Sequence, residues 1–174
     1  MKRVDNIILI GFMGSGKSSV GKLLANKVNY DFMDTDELIE VKQGTTISEI
    51  FSTNGEEYFR DLETDLLLSL KDKMRKTVLS TGGGMPIRDK NIKLLRKMGQ
   101  VIYLSASKNT IIERVSKDTS RPLLNVNNIG ETVDRLLGLR IPIYEKAADI
   151  IINTDKFSLE DIVAKILQAL NHIP

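Results

Sequence analysis

The segment Gly11-Phe-Met-Gly-Ser-Gly-Lys17-Ser18 constrains this chain more than any other stretch. It matches G-x-x-x-x-G-K-[ST], in which glycines let the backbone turn tightly and aim several N–H groups at one point. Such a loop belongs between a buried strand and a helix, because the helix offers the positive end of its dipole to an anion. Both flanks are present. Residues 7–10 form a short apolar run, and Val20, Leu23, Leu24 and Val28 follow at helical spacing. The pattern predicts a triphosphate site in which Lys17 meets the β- and γ-phosphates and the Ser18 hydroxyl ligates Mg²⁺. A dinucleotide fingerprint read from Gly14 fails, since it needs glycine where Ser19 stands. No Asn-Lys-x-Asp occurs, so guanine recognition is unsupported.

A loop of this kind implies an α/β sheet, and the remaining pattern agrees. Further short, β-branched apolar runs lie at 77–79, 101–104 and 149–152, with a weaker one at 30–33. They do not alternate in polarity, as expected of strands buried on both faces. Helical periodicity separates them: Ile92, Leu95 and Met98 mark one segment, and Leu159, Ile162, Val163, Ile166, Leu167 and Leu170 another, with Ser158 and Asp161 as a capping pair. Strand and helix alternate, so a parallel sheet is predicted. Two stretches break the rhythm: 36–72, with about three helical segments, and the polar, Pro-containing 116–128. Insertions of this kind often cap a site.

Composition narrows the chemistry. The 174 residues suit one domain; 41% are hydrophobic and 28% charged, enough to bury a core. There is no Cys, and the single His, His172, stands third from the C-terminus. Disulfides, thiolate nucleophiles and Cys-based zinc sites are thereby excluded, and a His-based triad has little support. A net charge of +2, from 25 basic and 23 acidic residues, does not advertise a nucleic-acid surface. No apolar run approaches the ~20 residues of a membrane helix. No signal-type cleavage site follows the N-terminus, so a cytoplasmic protein is expected.

The expected Mg²⁺-side aspartate after strand 77–79 is missing, because that strand runs into Ser80-Thr-Gly-Gly-Gly84. Asp34 and Asp36 are available instead. Alternation along an extended strand tip would set them on one side, one near the metal and one holding an acceptor hydroxyl. Helix capping by Asp36 is the competing reading. The three glycines admit either close ligand approach or a plain tight turn. Arg60, Arg121 and Arg140 taken singly read as solvated or ion-paired side chains, and Arg60 with Glu63 as a helix-surface pair.

Together these residues resemble the shikimate kinase family over nearly the whole chain. The resemblance rests on the phosphate-loop segment, Asp34-Thr-Asp36, Phe59-Arg60-x-x-Glu63, Ser80-Thr-Gly-Gly-Gly84, Arg121-Pro-Leu-Leu and Arg140-x-Pro-x-Tyr144, in that order. It implies a three-layer P-loop kinase fold like that of nucleoside monophosphate kinases. A five-stranded parallel sheet of order 2-3-1-4-5 would be flanked by helices, with a substrate-binding insertion at about 35–62 and a lid at about 115–127. The implied reaction is ATP-dependent phosphorylation of the shikimate 3-hydroxyl, in aromatic amino-acid (chorismate) biosynthesis, by a monomer with no nucleic-acid or membrane partner. By the same resemblance, Asp36 contacts the hydroxyl and takes its proton, and Arg60 and Arg140 clamp the carboxylate. Gly82, Gly83 and Gly84 pack against the ring, and Glu63 orients Arg60. Gly14, Ser15, Gly16, Lys17, Ser18 and Ser19 hold the nucleotide. Arg121 reaches the phosphates on lid closure, Arg114 stands near the adenine, and Ser18 and Asp34 serve Mg²⁺.

The segment 153–157 gives no match for the family's contact to the base, and 116–119 lacks a glycine hinge. Another small-molecule kinase, such as a gluconate kinase, and a non-catalytic nucleotide switch are the alternatives. Physical chemistry favours the first reading. A carboxylate needs the planar fork of Arg, an acceptor hydroxyl needs a carboxylate in reach, and a moving phosphoryl group needs cations around it.

Overall fold

The computed structural model describes residues 5–117 and 128–171. Five strands, β1 (Ile7–Ile10), β2 (Asp31–Asp34), β3 (Thr77–Ser80), β4 (Gln100–Ser105) and β5 (Ile150–Asn153), form one sheet in the order β2-β3-β1-β4-β5. All neighbours pair in parallel. The expected order 2-3-1-4-5 is therefore observed. Strand bounds shift by a residue from the sequence reading where polar groups intervene. At β5, the Asp149 carboxylate accepts the Val101 N–H at 2.8 Å, so pairing proper starts at Ile150.

Side-chain alternation assigns β1, β3 and β4 to two cores at once. Ile8 and Ile10 of β1 pack with Leu79, Val101 and Tyr103 beneath α4 (Asp89–Met98) and α6 (Ile129–Ala147). Ile7 and Leu9 face the other way, against α1 (Lys17–Val28) and α7 (Leu159–Asn171). That double burial is why β1, β3 and β4 read as apolar runs, while the edge strand β5 leaves Ile151 exposed. The capping pair before α7 forms as expected: Ser158 Oγ accepts the Asp161 N–H at 3.1 Å and donates to its carboxylate at 2.7 Å.

The stretch expected to hold three helical segments does so. It contains α2 (Thr35–Gln43) and α3 (Ile47–Leu70), and α3 is broken at Gly55, whose φ of 83° no helix accommodates. Ile39, Ile50, Phe59 and Leu66 give this region its own small core. After β4 the chain forms α5 (Lys108–Val115). Most of the expected lid at 115–127, with Arg121, lies outside the described residues, as does His172. Among the described residues, no helix is long and apolar enough to cross a membrane.

The order leaves β1 central, with β3 on one side and β4 on the other. Crevices in open α/β sheets form at the carboxyl ends of strands beside such a point. The ends of β1, β2 and β3 carry the phosphate loop, the aspartates and the glycine turn.

Candidate active site

The phosphate loop has the backbone its glycines permit. Gly14 and Gly16 take φ values of 77° and 94°, which L side chains rarely adopt. Gly16 occupies the N-cap of α1 without a side-chain cap, and the first turn of α1 has no acidic residue. By contrast α2, α3, α5 and α6 each have a side-chain acceptor at that end. The leading N–H groups of α1 are thus left to an anion. Lys17 is buried, and its Nζ donates to the carbonyls of Gly11 and Phe12 at 2.8 and 2.9 Å. Arg114 lies against the same loop, donating to Gly14 O at 3.0 Å. Ser15 is buried, while Ser18 and Ser19 are exposed.

At the end of β2 the geometry corrects the sequence reading. Strand alternation does not relate Asp34 and Asp36, because α2 begins between them at Thr35. Nor does Asp36 cap that helix. Asp34 does, its Oδ1 accepting the Asp36 N–H at 3.0 Å and the Glu37 N–H at 3.5 Å. Its other oxygen accepts the Ser18 hydroxyl at 2.7 Å, and Ser18 Oγ is 3.4 Å from Ser80 Oγ. One carboxylate therefore sets the helix that presents Asp36 and also reaches the phosphate loop. A hydroxyl beside a carboxylate is a hard oxygen donor set, which suits Mg²⁺. Among the described residues no three His, Cys, Asp or Glu side chains converge. The set therefore suits an ion that keeps waters and borrows phosphate oxygens.

A cavity of about 540 Å³ opens between these elements, lined by Ser18, Asp34, Asp36, Arg60, Glu63 and Arg140 among others. The glycine turn forms its floor for a specific reason. A Cβ on Gly82 would lie 2.6 Å from Asp36 Oδ1, and one on Gly84 would fall inside the Arg60 guanidinium. The glycines thus make room for the protein's own carboxylate and guanidinium. Thr35 Oγ1 accepts the Gly82 N–H at 2.8 Å, and the Tyr144 hydroxyl donates to Gly83 O at 2.6 Å. Burial raises the Tyr144 pKa against the pull of the Arg140 charge, which keeps the phenol a donor.

Arg60 and Glu63 form a buried pair, not a helix-surface pair: 2.8 Å apart, with relative exposures of 4% and 0%. A second carboxylate, Glu56, meets Arg60 Nη2 at 2.9 Å. Arg140 contrasts with it. It is 4% exposed and lies over the Phe12 ring, and its Nη1 has no hydrogen-bond partner among the described residues. A buried cationic donor without an acceptor is costly and marks where an anion fits.

Burial pushes the Glu63 carboxyl from 4.5 up to about 7; Arg60 opposes the shift and Asp36 adds to it. A carboxyl raised in the folded state favours folding fully below its unfolded value. That contribution is lost as pH climbs through the folded value. The melting temperature, relative to that of a Glu63→Gln variant, should therefore fall between pH 4.5 and about 7. A difference that stays constant or grows over that window would contradict the burial argument.

Ser18, Asp34, Asp36, Arg60, Gly82, Gly83, Gly84 and Arg140 are brought to this one cavity. Arg114 contacts the phosphate loop and is absent from the lining. Sequence reasoning missed the apolar wall of Phe51 and Phe59, whose rings lie 4.9 Å apart, and the role of Met13. Met13 occupies a free position of the motif, and its backbone N lies 3.3 Å from where a Cβ on Gly83 would sit. No spacing rule could have singled it out.

Comparison with known proteins extends over the whole arrangement. Residues 13–171 match the family described as shikimate kinase. The chain is 49% identical to a shikimate kinase of Thermodesulfovibrio yellowstonii over 95% of this chain and 94% of that one. It is 40% identical to one from Francisella tularensis subsp. novicida, with the same coverage. Among solved structures, a shikimate kinase from Acinetobacter baumannii in complex with shikimate superposes with a TM-score of 0.93 at 37% identity, covering 99% of this chain and 97% of that one.

Proposed function

The chain belongs to the shikimate kinase family, ATP-dependent kinases of a small molecule, and we propose that it transfers the γ-phosphoryl group of ATP to the 3-hydroxyl of shikimate with the residues at the carboxyl edge of its sheet. The observation that carries this reading is the buried, unpartnered Nη1 of Arg140 in the same cavity as Arg60 and Asp36. Two guanidinium groups suit a carboxylate, and an aspartate within the same cavity suits a hydroxyl. Family membership over residues 13–171 leaves the gluconate-kinase and switch readings without an observation in their favour.

Each residue then has a task. Asp36 accepts the proton of the 3-hydroxyl as its oxygen attacks the γ-phosphorus, and ADP departs. Arg60 and Arg140 hold the ring carboxylate, with Glu63 keeping Arg60 in place. Gly82, Gly83 and Gly84 support the ring. Backbone N–H groups of residues 14–19 bind the phosphates, and Lys17 leaves its carbonyl partners for the β- and γ-oxygens. Arg114 borders the nucleotide, and Arg121 is assigned to the phosphates from the lid at 115–127. Ser18 would hold Mg²⁺ directly and Asp34 through water. The ion would supply positive charge against the phosphate oxygens. Residues 35–62 form the substrate-binding region of a single domain spanning 1–174. The enzyme acts as a cytoplasmic monomer.

Release of ADP from MgATP, measured with and without shikimate, tests the reading. Shikimate is expected to stimulate release well above the basal rate. An unchanged rate would overturn the reading.

A further inference from the structure

The helix that carries Arg60 is gripped from outside the cavity by the segment that leaves the glycine turn. Gly55 breaks α3, so the part that follows it is not held in line by the part before. Its position depends on what it packs against. Four residues after Gly84, past a short 3₁₀ turn (Met85–Ile87), stands Arg88. Arg88 Nη1 meets Asp61 at 2.6 Å and Nη2 meets Glu57 at 2.9 Å. Three residues further, the buried Asn91 accepts the Thr64 hydroxyl at 2.9 Å and donates to Met85 O at 2.9 Å. Residues 57, 61 and 64 share one helical stripe, and Arg60 and Glu63 occupy the neighbouring one.

We propose that Arg88 is a positioning residue. Through Glu57 and Asp61 it sets the rotation of α3, and so places the Arg60 guanidinium over Gly84 for the substrate carboxylate. The inference rests on the shikimate reading for its ligand. Its geometric basis is the close seating of Arg60 on Gly84, where an added Cβ would overlap the guanidinium. A helix rotation that moves this group by about 1 Å would misalign the carboxylate fork, and misplacements of that size are costly. Exposed ion pairs contribute little to stability, and Glu57 and Asp61 are 89% and 64% exposed. The clasp therefore acts on alignment with little effect on folding.

Arg88→Gln, Asp61→Asn and their double variant test this. Each single change is expected to raise the shikimate KM about fivefold, with kcat, the ATP KM and the melting temperature nearly unchanged. The double variant should be no worse than the worse single one, because both remove the same interaction. Arg88→Lys should recover part of the loss. Hydrogen exchange gives a readout free of substrate: amides of residues 58–64 should lose protection in Arg88→Gln while those of α1 do not. An unchanged shikimate KM in Arg88→Gln, or additive losses in the double variant, would overturn the inference alone. If the unmodified protein shows no shikimate-dependent turnover, the substrate reading fails, and unchanged exchange at 58–64 would then sink the clasp as well.

Discussion

Replacing Asp36 by Asn should lower kcat by about 10²–10⁴-fold while leaving ATP affinity unchanged. Asparagine keeps the size and shape of the side chain but cannot take the proton of the acceptor hydroxyl. The backbone should not move, because Asp34 anchors the start of α2 through the N–H groups of residues 36 and 37. The phosphate loop is built from β1 and α1 and does not depend on the Asp36 carboxylate. Calorimetry with a non-hydrolysable ATP analogue separates the two effects. Turnover within about tenfold of the unmodified protein would remove Asp36 from the role of base.

Gly84→Ala should raise the shikimate KM by about 30-fold, the loss of roughly 2 kcal/mol of charge-assisted bonding. The new methyl group would occupy the space of the Arg60 guanidinium, which must then leave Glu63. A buried carboxylate stripped of its partner is strongly destabilising if it stays ionised. Glu63 has another course, because burial already holds its pKa at about 7. It can take up a proton, so the damage should fall on substrate binding more than on folding. Steady-state kinetics and thermal melts at pH 6 and pH 8 check both statements. A shikimate KM within twofold of the original would show that Arg60 need not sit on Gly84. The melt should also be less affected at the lower pH, where the neutral form of Glu63 is favoured.

Both experiments concern residues that the sequence singled out, yet their reasons differ from the sequence reading. Asp34 and Asp36 do share a site, but through a helix that starts between them. Strand alternation at a chain tip is a weak guide, since one capping carboxylate can end the strand. In the sequence the glycine turn admits both ligand approach and a plain turn. Its observed neighbours are Asp36 and Arg60, contributed from 46 and 24 residues away along the chain. Arg88 and Asn91 belong to no motif, and no local pattern links them to Arg60, whereas Glu56 stands four residues before Arg60, at the spacing of a helical ion pair.

By itself the sequence determined the parallel α/β sheet, the phosphate loop and the family, because these depend on local periodicity, glycine placement and ordered motifs. Strands buried on both faces must be apolar throughout, and a loop that cradles phosphate must have glycine where φ is positive. The tertiary structure alone decided how the two arginines differ. Arg60 is held at both Nη atoms by carboxylates and leaves its Nε open, whereas Arg140 lies buried over Phe12 with an open Nη1. Charge pairing and desolvation depend on distances between elements far apart in the chain, and those distances exist only once the sheet has brought the elements together.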